Sequence, residues 1–125
     1  MNESVVIVLP LPARILSPNC PAGTRGGRFA RAAAAKKYKR AAFFATLDAA
    51  RDMHFDKANV LAKFYHKTKR RRDDVNHLAM LKSAYDGVVD AGLLPDDDRE
   101  HLRTVGAEFF VDTKNPRVEL IFTRE

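Results

Sequence analysis

The sequence predicts an α+β fold: a single domain over 1–125, in the order β-α-β-α-β-β, with a mixed sheet and helices packed on it. Three observations predict it. Runs of β-branched and aromatic residues at 5–11, 58–66, 109–112 and 118–123 have strand character. Residues 30–51 are alanine-rich and free of Gly and Pro, which favours a helix. Leu78, Leu81, Tyr85 and Val88 recur at spacings of three and four, the apolar stripe of an amphipathic helix over 75–91.

Each element has its own reason. The run at 5–11 ends in prolines, which close a strand. Residues 12–28 carry Pro, Gly, Asn and Ser together with Arg14, Arg25 and Arg28, and read as a long basic loop. The helix that follows has a basic N-terminal half, Lys36, Lys37, Lys39 and Arg40. In 58–66, Val60, Ala62 and Phe64 alternate with Leu61, Lys63 and Tyr65, the period of a strand. The helix over 75–91 has Asp73 or Asp74 where an N-cap belongs and Gly92 where a C′ glycine belongs. Residues 93–104 read as an acidic turn. The last two strands are expected to form a hairpin through Lys114-Asn115-Pro116.

Composition narrows the function. The chain has 125 residues and one cysteine, Cys20, so an intrachain disulfide framework is excluded. No apolar run approaches the ~20 residues needed to span a bilayer. VVIVLPLP near the N-terminus is too short and proline-rich for a signal core, and a cytoplasmic location is expected. Residues 1–72 hold 16 Lys/Arg against 4 Asp/Glu; residues 73–125 hold 6 against 12. The switch falls inside Lys69-Arg70-Arg71-Arg72-Asp73-Asp74. A basic half suits a polyanion such as nucleic acid, and an acidic cluster beside it suits a divalent cation.

The acids gather at Asp73-Asp74 and at Asp96-Asp97-Asp98. Carboxylates of this kind can hold the one or two Mg²⁺ ions that hydrolyse a phosphodiester, but Asp73 and Asp74 could equally serve only as a helix cap. On a straight helix of ~18 residues the two clusters would stand ~27 Å apart. A shared site therefore needs the triplet to fold back, a helix that is short or bent near Gly87, or a dimer. Lys82 lies ~40° from Leu78 on the helical wheel, at the edge of the apolar stripe. It is either a snorkelling lysine or a cation for a phosphoryl transition state, with Asp86 four residues on as its partner. No His or Cys spacing suggests zinc. His77, one residue past Asn76, is a minor candidate for a base.

The stretch Arg72-Asp73-Asp74-Val75-Asn76, then Lys82, then Asp86-Gly87, then Asp90-Ala91-Gly92-Leu93-Leu94-Pro95-Asp96-Asp97 resembles the RusA-type Holliday-junction resolvases. That resemblance implies an α+β homodimer, Mg²⁺ dependence (Mn²⁺ as a substitute) and paired nicks across a four-way junction. It places metal-binding acids at Asp73 and Asp97, supported by Asp74 and Asp96, and catalysis at Asp73, Lys82 and Asp97. Asn76 would orient the site or contact substrate. Arg25, Arg28, Lys36, Lys37, Arg70, Arg71 and Arg72 are the expected phosphate contacts. Val75 departs from the family pattern, which often has an Asp before the Asn. The alternative expectation is a catalytically impaired branched-DNA-binding protein of the same fold.

Overall fold

The computed structural model describes residues 3–70 and 72–125. Arg71, one of the expected phosphate contacts, lies outside them. The chain runs β1 (Ser4–Leu9), a 3-10 turn (Arg14–Leu16), α1 (Arg25–Ala50), β2 (Ala58–His66), α2 (Asp74–Ala79), α3 (Lys82–Asp90), β3 (Leu102–Val111) and β4 (Arg117–Arg124). The four strands form one mixed sheet in the order β1-β4-β2-β3. β4 is antiparallel to both β1 and β2, while β3 runs parallel to β2.

The period-two pattern buries alternate residues against the helices. Ile7 and Leu9, then Val60, Ala62 and Phe64, then Val118, Leu120 and Phe122 are fully or almost fully enclosed. From α1 they meet Tyr38 and Ala42, and from α3 and its flank Leu81, Ala84, Tyr85 and Val88. The opposite face of the sheet is uncovered, leaving Val6, Val8 and Phe110 exposed.

Four expectations are corrected. The basic loop is shorter than 12–28, because α1 begins at Arg25. Thr24 caps it, its hydroxyl oxygen accepting from Gly27 N. That cap offsets the poor helix propensity of Gly26 and Gly27, so Arg25 and Arg28 belong to a helical turn. The long helix over 75–91 is two helices, broken at Met80–Leu81 rather than bent near Gly87. There, Met80 N donates to His77 O and Leu81 N to Leu78 O, tightening the last turn of α2. The expected hairpin does not form, because β2 lies between β3 and β4. The link from Val111 to Arg117 crosses the end of β2 instead, where Asp112 N donates to His66 O. The acidic turn gives way earlier, since β3 begins at Leu102.

Gly92 holds its expected position. Its φ of +96° turns the chain out of α3, a conformation that costs glycine no steric penalty. Leu93 O then accepts from Phe55 N, and residues 93–97 run back along α3.

Candidate active site and nucleic-acid interface

The fold-back brings Asp97 to Lys82 across fifteen residues of chain. Lys82 Nζ donates to Asp97 Oδ2 at 2.7 Å and to Asp86 Oδ1 at 2.8 Å. Asp86 is the i,i+4 partner expected from helical spacing; Asp97 is supplied by tertiary structure. Hydrogen bonds to Asp86, then to Asp97, raise the Lys82 pKa above its ordinary value. Lys82 is thus a fixed ammonium rather than a proton acceptor. Its side chain is 68% exposed whereas that of Asp97 is 17% exposed, so the cation faces outward from a sheltered carboxylate. Asp96 Oδ1 accepts from Asp97 N at 2.7 Å and shapes the turn.

Asp73 is the N-cap of α2. Its Oδ1 accepts from Val75 N at 2.9 Å and Asn76 N at 3.3 Å, and Asn76 Nδ2 donates to its Oδ2 at 3.2 Å. Asn76 therefore orients Asp73. Asp74 occupies the first turn of the same helix. Val75 is 75% exposed and belongs to no core stripe. Among the described residues, no three His, Cys, Asp or Glu side chains converge closely enough to hold an ion in common. The test of fit for a divalent cation is narrower. The acids expected to bind metal, Asp73, Asp74, Asp96 and Asp97, are all carboxylates, and Mg²⁺ asks for only one or two of these plus waters, although Asp97 is already engaged by the Lys82 ammonium. The donor chemistry suits such an ion.

His77 docks α2 on the sheet. Its ring meets Phe64, His66 and Phe109 edge-on at 5.1, 5.4 and 4.9 Å between centroids. Its Nδ1 donates to the Asp73 carbonyl at 3.0 Å, which leaves Nε2 as the acceptor in the neutral ring. His66 stacks on Phe64 in turn. Burial first, then the charges of Arg72 and His77, push the His66 imidazole down to about 4. It is neutral at neutral pH.

The cations divide into groups. Arg70 and Arg72 line a cleft with His66 and Lys69. Burial and the neighbouring Arg70 lower the Arg72 pKa, yet a guanidinium stays charged at any working pH. Arg25 lies 5.7 Å from the Phe29 ring centroid, and Arg28 Nη1 donates to Gly23 O. Lys36 and Lys37 are exposed on α1. Sequence reasoning missed His66, and it read Lys69 and Arg14 only as parts of the basic run and the basic loop. For His66 a signal existed: it continues the inward alternation Val60, Ala62, Phe64, so a histidine was due at the buried edge of a strand. It also missed Arg31, whose guanidinium donates to Ile15 O, Ser17 O and Cys20 O and fastens the loop before α1. No family model matches the chain, and no curated protein sequence matches it.

Proposed function

We propose that the chain is a RusA-type, Mg²⁺-dependent structure-specific endonuclease that nicks four-way junctions or other branched DNA by phosphodiester hydrolysis. One observation carries this reading: an ammonium locked between Asp86 and Asp97 on the outer face of α3, in a chain whose first 72 residues hold 16 of its 22 Lys and Arg. Such a cation, fixed before substrate arrives, stabilises charge that develops on a transferring phosphoryl oxygen.

In this reading Asp97 and Asp73, with Asp74 and Asp96 beside them, would hold the metal. Mg²⁺ or Mn²⁺ would supply an activated water and neutralise phosphate charge. The residues of the chain do the rest. Lys82 presents its positive charge to the phosphate. Asn76 holds the Asp73 carboxylate in one orientation. Arg70, Arg71 and Arg72, with Arg25, Arg28, Lys36 and Lys37, attract the DNA backbone, with affinity that falls as salt rises. Two symmetric cuts across a junction call for a homodimer.

The test is nicking of a synthetic four-way junction against a linear duplex of the same sequence, with Mg²⁺ and with excess chelator. Junction nicking that chelator abolishes is expected. Lys82→Met should lower it on the order of 100-fold. Undiminished cutting in chelator, or full activity in Lys82→Met, would overturn the reading. The absence of three converging acids among the described residues favours a second reading, a branched-DNA-binding protein without nuclease activity. Junction binding with no nicking at any metal concentration would select it.

A further inference from the structure

We infer that the cleft at the C-terminal ends of β2 and β3 holds a single unpaired nucleotide of a DNA strand, its phosphate on Lys69 and Arg70 and its base against the Phe110 ring. This rests on the reading of the chain as a DNA-binding enzyme and names the element of substrate that this second site takes.

The cleft measures about 400 Å³ and is lined by His66, Lys69, Arg70, Arg72, Phe109 and Phe110. That size falls among small-ligand sites, and its walls are of two kinds. One is cationic, with Lys69, Arg70 and Arg72. The other is aromatic. Phe110 is 41% exposed although it is a large apolar ring, and it is held from behind by a stacked Tyr65 at 5.0 Å. Tyr65 is fixed in turn by the Arg117 guanidinium, 3.9 Å from its centroid. Lys63 Nζ also lies 5.9 Å from the Phe110 centroid, so the exposed ring sits between a stacked tyrosine and a cation. Stacking on such a ring suits any base, because every base has a π face.

A free phosphate would need the cations but not the ring. A base-paired duplex has its bases stacked on one another and could use the cations alone. Only a nucleotide whose base is unstacked uses both walls. His66 adds a polar group at the seam: its Nε2 is buried and has no hydrogen-bond partner among the described residues. His66 and Arg72 also line a second cleft of about 310 Å³, whose other walls include Arg14, Ser17, His77 and Met80. Met80 stands two residues before Lys82. A strand seated in the first cleft is therefore led toward α2 and the Lys82 end of α3, where branched DNA offers unpaired nucleotides at the exchange point.

The experiment uses the full chain in excess chelator and a labelled single-stranded tetranucleotide, intact or with abasic sites, followed by fluorescence anisotropy. The intact strand should bind about 10-fold more tightly, the worth of one stacked base. Phe110→Ala should bring the two strands to about equal affinity without weakening the abasic one, since only the stacking contribution is removed. Arg70→Ala should weaken both and keep the preference. Equal binding by the wild type, or a preference that survives Phe110→Ala, would overturn the inference. So would displacement of the strand by an equimolar amount of 5′-deoxyadenosine monophosphate, which would assign the cleft to free nucleotides. Junction nicking in Mg²⁺ is measured on the same preparations. Base preference without nicking would strike the endonuclease reading alone, and nicking without base preference would strike the cleft alone.

Discussion

Val75 projects into solvent beside Asp73 and Asp74, with 75% of its surface exposed, and its substitution therefore reads the site rather than the core. Val75→Asp should change stability by no more than about 0.5 kcal/mol, as exposed substitutions do. A carboxylate in the first turn of α2 also agrees with the helix dipole. If the metal lies at this end of α2, the added acid should lower the Mg²⁺ concentration that gives half-maximal nicking. Unchanged metal dependence with an unchanged Tm would move the metal away from residue 75. His66 makes a different prediction. Burial, then Arg72 and His77, hold its pKa down at about 4, below the ordinary 6.5. The unfolded chain therefore takes up a proton here at a higher pH than the folded chain. The contribution of the neutral ring to stability is fully present above pH 6.5 and is lost as pH falls from 6.5 toward 4. His66→Phe, which keeps the stacked ring, should show a shallower fall in Tm over that window than the wild type. Parallel melting profiles would show that the imidazole is not held neutral.

At the scale of elements, α1 and α3 approach closely at Gly87. A Cβ built on Gly87 would stand 2.2 Å from Lys39 O and 3.0 Å from Ala42 Cβ. The obstacle is helix backbone, which cannot swing aside as a side chain can. Gly87→Ala should therefore destabilise by about 1–3 kcal/mol despite the better helix propensity of alanine, because the helices must separate. Thermal melting checks this, and an unchanged or raised Tm would show that the pair is looser than the geometry requires. The split of the long helix matters as much. With α2 ending at Ala79 and α3 starting at Lys82, His77 can dock on the strands while Leu81, Ala84, Tyr85 and Val88 face the core. One straight helix would have to satisfy both surfaces along a single stripe.

For the whole molecule, charge separates along the chain and the helices cover only one face of the sheet. Val6, Val8 and Phe110 lie exposed on the uncovered side, and β1 and β3 are edge strands. A homodimer is expected from the proposed chemistry, and light scattering at micromolar concentration should give about twice the 14.0 kDa chain mass. A strict monomer that still makes paired nicks would count against it.

The sequence by itself determined the fold class, the alternating faces of β2 and the helical stripe, because periods of two and 3.6 residues record which side of an element is buried. It also determined the Lys82–Asp86 pair, a contact set by helical spacing, and the Gly92 turn. Tertiary structure decided what spacing cannot encode. An alternating strand states which face is buried but not which neighbour it takes, so β2 could separate β3 from β4 where a short loop suggested a hairpin. Asp97 reached Lys82 only because the chain folds back after Gly92, and His66, Lys69, Arg70 and Phe110 met only where β2 and β3 end together. These are contacts between residues distant in sequence or on neighbouring strands, and their formation depends on how whole elements pack.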